Sequence, residues 1–70
     1  MKISAKNQIQ GIITEIHEGA VNNEVIIEIA EGVYMTSVLT RSSCERLELE
    51  PGKEVFAVVK ASNVMVAVDE

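Results

Sequence analysis

Hydroxyl side chains stand beside lysines at two places in the chain, Ser4-Ala5-Lys6 near its start and Lys60-Ala61-Ser62 near its end. A third group of hydroxyls, Thr40, Ser42 and Ser43, lies between them. These are the donors a tetrahedral oxyanion requires. Such an ion accepts hydrogen bonds on four oxygens, and a dianion gives up much of its water on entering a site. Hydroxyls, backbone N–H groups and one or two cations must replace that water. Thr40 is in position to start a helix, and a helix start adds unsatisfied N–H groups and partial positive charge. Each group also has an ordinary explanation. Thr and Ser cap helices without binding anything, lysines at strand ends are commonly solvated, and Asn22-Asn23 reads as a turn. Spacing alone identifies no ligand.

Other chemistry finds less support. Cys44 and His17 are the only residues of their types, which is short of a closed zinc site, and a single cysteine forms no intramolecular disulfide. Cys44 reads as a structural thiol. Glu15, Glu18, Glu24, Glu28 and Glu31 read as a solvated face, and no pair has a spacing that implies acid–base work. Gly11, Gly19, Gly32 and Gly52 are scattered and form no phosphate loop. These residues do not make an enzyme.

The net charge of −5 opposes generic polyanion binding, which relies on phosphate neutralisation by a basic surface. A small anion answers to its immediate surroundings instead, since charges beyond about 8–10 Å are screened at physiological salt. With 3% aromatic residues the chain also lacks the stacking platforms of single-strand nucleic-acid binders. No apolar run is long enough to span a membrane, and the start of the chain does not read as a targeting segment. The expectation is a cytoplasmic protein.

The elements that position these groups follow from apolar periodicity. Gln8 to His17 reads as a strand, in which Gly11 marks a bulge or a close backbone approach. Glu18 to Asn23 reads as a turn, with Gly and Asn supplying tolerance of positive φ. Glu24 to Ala30 and Val33 to Leu39 form a hairpin about Glu31-Gly32. A helix of about two turns follows, with Thr40 as its N-cap or Ser42 or Ser43 in its place, anchored by Leu39, Leu47 and Leu49, and Pro51-Gly52 ends it. Lys53 to Lys60 is a fourth strand and Val64 to Val68 a fifth. The expected fold is all-β, a five-stranded antiparallel barrel of the oligonucleotide/oligosaccharide-binding kind, with one short helix between strands 3 and 4, as a single domain over residues 1–70. Val25-Ile26-Ile27 and Val64-Met65-Val66-Ala67-Val68 are apolar at consecutive positions, so both faces of these strands need cover. A chain of 70 residues has little mass to provide it, and an obligate homo-oligomer is expected.

SAKNQIQG, EGAVNNEV, TSVLTRSS and LELEPGKEVFAVVKASNVMVAV occur in an order that closely resembles the molbindins, the Mop/TOBE-type molybdate-binding proteins. The likeness runs from Ile3 to about Val68. It implies non-catalytic binding of molybdate, and often tungstate, for storage or homeostasis, with no cation ligated directly. It further implies a hexamer, a trimer of dimers, with sites between subunits. One class of site would draw Ser4, Lys6, Lys60, Ala61 (through its backbone) and Ser62 from one subunit, and Thr40 and Ser43 from a neighbour. The second, near the threefold axis, would use Ala20, Val21 and Asn22. Many relatives carry Arg where this chain has Lys6, which exchanges a planar bidentate fork for a point charge. Two alternatives keep the fold, an anion-dependent sensor or scaffold acting through a protein partner and a nucleic-acid-binding barrel.

Overall fold

The computed structural model describes residues 1–69. Strands β1 (Asn7–Glu18), β2 (Asn22–Ala30) and β3 (Val33–Thr40) lead into helix α1 (Arg41–Arg46). Strand β4 (Glu54–Val59) and a 3₁₀ turn (Ala61–Asn63) follow. All pairings are antiparallel, in the order β3-β2-β1-β4.

The curl of the sheet comes from β1, which serves two partners in turn. Asn7 to Ile12 pair with β4, and from Ile12 onward β1 pairs with β2, the register slipping at Thr14. A bulge of this kind bends the strand and increases its twist. Gly11 lies next to this corner. A Cβ placed there would sit 2.6 Å from Ile27 Cγ2 and 2.8 Å from the Glu28 carbonyl oxygen. Of the two readings open for Gly11, close backbone approach is the one realised, and the bulge falls three residues later. A Gly11→Ala protein should lose about 1–3 kcal/mol of stability through overpacking, measurable by urea denaturation; wild-type stability would mean that β2 yields easily.

The inner face carries the core, with Ile13, Val25, Ile27, Cys44 and Ala57 buried and Ile16, Ile29, Met35, Leu39, Leu49 and Val55 packed against it. Cys44 is the structural thiol expected. The β2–β3 turn is the tight one anticipated: Gly32 takes φ +72, and its N–H donates to Glu28 Oε2 at 3.3 Å.

Expectations for the helix and for the turn before β2 need correction. The helix spans six residues, close to the two turns expected, but its buried residue is Cys44, while Leu47 lies beyond the helix and is exposed; Leu39 and Leu49 pack against the core as expected. The helix ends at Arg46, ahead of Pro51-Gly52, and Glu48, with a φ of 54, turns the chain beyond it, while Lys53 Nζ donates to the Leu47 and Glu48 carbonyls at 2.8 and 3.2 Å. Asn22 and Asn23 belong to β2 rather than to the preceding turn, and neither they nor Gly19 take positive φ.

The largest departure concerns the fifth strand. Val64 to Val68 pair with no strand among the described residues, so the sheet has four strands and is not a closed five-stranded barrel. Met65, Val66 and Val68 are 93%, 87% and 80% exposed. The residues have strand propensity, but a strand also needs an edge to pair with, and neither free edge of this chain's sheet, β3 or β4, receives them. Between those edges the inner face opens into a groove of about 620 Å³, lined by Ile13, Val25, Ile27, Met35, Leu39 and Val55 among others.

Candidate oxyanion site

The ladder between β1 and β4 sets the first cluster. Asn7 lies opposite Val59, so Lys6 and Lys60, each one residue beyond the pair, come to the same end of the sheet. Ser4 and Lys6 precede β1 in a loop held by a bond from Gln8 Nε2 to the Ala5 carbonyl, 2.8 Å. Lys60 leads into the 3₁₀ turn, where the Asn63 N–H donates to the Lys60 carbonyl at 2.8 Å and the Val64 N–H to that of Ala61 at 3.3 Å. Two segments 54 residues apart in the chain thus present Ser4, Lys6, Lys60, Ala61 and Ser62 together. Among the described residues neither lysine has a carboxylate within ion-pair distance, so both cations are available to a ligand.

Thr40 and Ser43 form a second cluster. Thr40 caps α1 as expected, its Oγ1 accepting the Ser43 N–H at 3.1 Å. Its hydroxyl donates to Ser43 Oγ at 2.9 Å, and Ser42 Oγ lies 3.2 Å away. With Thr40 supplying the proton between them, the Ser43 hydroxyl keeps its own proton to donate outward. A helix of six residues adds little dipole, so the hydroxyls are what this cluster offers an anion. Ala20, Val21 and Asn22 adjoin it directly. Asn22 is the register partner of Thr40, and the Val21 carbonyl accepts the Arg41 N–H at 2.9 Å.

The chain therefore gathers the candidate residues into two groups. Ser4, Lys6, Lys60, Ala61 and Ser62 stand where β1 begins. Thr40, Ser43 and Ala20 to Asn22 stand where it ends, since Glu18 pairs with Asn23. Twelve residues of β1 separate the groups, a contour of roughly 35–40 Å at strand rise. One copy does not bring its lysines and its Thr40 hydroxyl to one ion.

Beside the second group, a cleft of about 410 Å³ includes Glu18, Glu45, Glu48 and Glu50 in its lining, with Arg41 as its one cation. That excess of carboxylates repels an oxyanion, which confines any anion to the Thr40–Ser43 rim. Asn23 also lines this cleft and is buried at 6% exposure. Reading Asn22-Asn23 as a turn missed it. Parity was the available signal, because Asn23, Val25 and Ile27 alternate onto one face of β2.

Comparison with known proteins places this chain in a family. The TOBE domain model matches residues 3–66. A protein of Haemophilus influenzae described as a probable molybdenum-pterin-binding protein is 44% identical over 69 residues, 99% of this chain and 100% of its own length. The solved structure of MopII from Clostridium pasteurianum, in an apo form, superposes with a TM-score of 0.89 at 40% identity, covering 96% of this chain and all of that one. A molybdate-bound structure of ModG, described as a cytoplasmic molybdate-binding protein, gives a TM-score of 0.87 at 40% identity over 93% of this chain and 46% of ModG. The chain is a TOBE-domain protein of the molbindin family.

Proposed function

We propose that this protein binds molybdate, and tungstate alike, at sites formed between copies of itself, and that it stores the anion in the cytoplasm without catalysis. The observation that carries this reading is the separation of the two donor groups. The lysine group holds both cations with the hydroxyls of Ser4 and Ser62, the Thr40 group has hydroxyls on a rim beside carboxylates, and β1 holds the two apart within one chain. Placing Ser4, Lys6, Lys60, Ala61 and Ser62 of one copy against Thr40 and Ser43 of another unites charge with hydroxyl donors and removes both from water. Desolvation strengthens every charge-assisted bond to the ion. The turn Ala20 to Asn22 is assigned to a second class of site, where copies meet around a threefold axis in a hexamer built as a trimer of dimers.

The unpaired segment Val64 to Val68 supports self-association and suggests how it occurs. Its apolar residues are exposed and its backbone lacks a strand partner, while the same chain holds an apolar groove between two free edges. A second copy's segment supplies strand and side chains to that groove, and exchange in both directions gives an isologous dimer. The relatives described as binding molybdenum-pterin or molybdate support the ligand. Nucleic-acid binding is disfavoured by net charge and by Tyr34 and Phe56 lying on opposite edge strands.

Titration calorimetry with molybdate, on protein whose mass is measured in the same buffer, tests the proposal. The expected result is saturable binding to an oligomer, with tungstate comparable and sulfate much weaker, because sulfate is smaller and fits a preformed cavity loosely. More than one anion per subunit supports the second class of site. Competition by sulfate equal to that by tungstate, or tight binding by a monomer, contradicts the proposal.

A further inference from the structure

We propose that Asn23 is the positioning residue of the Gly19–Asn22 turn and that, through this turn, it aligns the hydroxyl half of the oxyanion site. Asn23 is the buried polar side chain of this region, 6% exposed, on the same face of β2 as Val25 and Ile27. Its Oδ1 accepts the Gly19 N–H at 3.3 Å, and since that partner can only donate, the amide oxygen must be the atom that faces it. The bond spans the turn from inside. On its far side the Val21 carbonyl accepts the Arg41 N–H at 2.9 Å. Asn22 then pairs with Thr40, whose Oγ1 accepts the Ser43 N–H at 3.1 Å. A continuous series of bonds therefore runs from the buried amide through the turn to the helix start.

No side chain of residues 19–22 is buried to help hold the turn. Ala20 and Val21 are exposed, and the chain is so tight that a Cβ at Gly19 would strike the Asn22 carbonyl. The residues assigned to the two classes of site, Ala20 to Asn22 on one side and Thr40 and Ser43 on the other, are consequently one hydrogen-bonded unit whose geometry a single amide sets. Asn23 touches no ligand in this arrangement and acts only by placing residues that do. The part of the inference concerning anions rests on the molybdate-binding reading.

The test compares Asn23→Leu with Asn23→Asp. Leucine fills the buried position and removes the acceptor, while Gly19 is exposed and can turn to water, so thermal stability and assembly mass should stay near the parent's. Amide exchange at Gly19 should accelerate, and molybdate affinity should fall about 3- to 10-fold, the range of one hydrogen bond's net worth. Asn23→Asp keeps an acceptor of the same shape and should retain Gly19 protection. Unchanged exchange at Gly19 in Asn23→Leu, or faster exchange with parental affinity, overturns the proposal. A parent that binds no molybdate would instead defeat the functional reading, and Gly19 exchange would still decide whether Asn23 holds the turn.

Discussion

Val66→Asp should convert the assembly to monomers and abolish molybdate binding in the same step. Val66 is 87% exposed in the single chain, and Met65 and Val68 beside it are 93% and 80% exposed. Covering three such side chains contributes about 1.5–3 kcal/mol each, and reciprocal exchange counts that gain twice per dimer. An aspartate in the groove carries an unpaired charge into apolar surroundings, which costs several kcal/mol more. No other described contact of Val66 would be lost, so the isolated fold should survive, with circular dichroism close to the parent's. Sedimentation and calorimetry on the same samples provide the check. A Val66→Asp protein of parental mass and affinity would show that the segment covers nothing and that another surface holds the copies together.

Lys60→Ala should weaken molybdate binding by roughly 10- to 150-fold, since a desolvated dianion loses a charge-assisted partner worth about 1.5–3 kcal/mol. Lys60 is exposed and unpaired among the described residues, so its removal leaves the fold intact and the loss reports on the ligand. Lys6→Ala should cost less. Lys6 stands in the loop ahead of β1 and would meet the ion as a single point charge, without the planar bidentate fork of a guanidinium. The order of the two losses is open to calorimetry; parental affinity in Lys60→Ala would remove the lysine cluster from the site.

The β2–β3 hairpin and the helix start were readable from local rules: runs rich in β-branched residues along β2 and β3, glycine where the 31–32 turn needs positive φ, and a threonine with a free oxygen at the helix start. What escaped was decided by partners distant in the chain. Val64 to Val68 has the composition of a strand, but composition does not say whose edge will pair with it. Leu47 fits an apolar helical stripe on paper, yet the helix ends at Arg46 and leaves Leu47 exposed. Asn23 has the propensity of a turn residue, while burial beside Val25 made it a strand residue that braces the turn from within. The site shows the same division. Hydroxyls and lysines could be picked out by type, but only the β1–β4, β1–β2 and β2–β3 registers separate them into groups at opposite ends of one strand.

The central claim is that each primary site is completed by two copies of the chain. A molybdenum anomalous difference map from crystals grown with molybdate addresses it directly. The account predicts a peak with Lys60 and Ser62 of one copy on one side and Thr40 and Ser43 of a second copy on the other. A peak surrounded by residues of a single copy would contradict it.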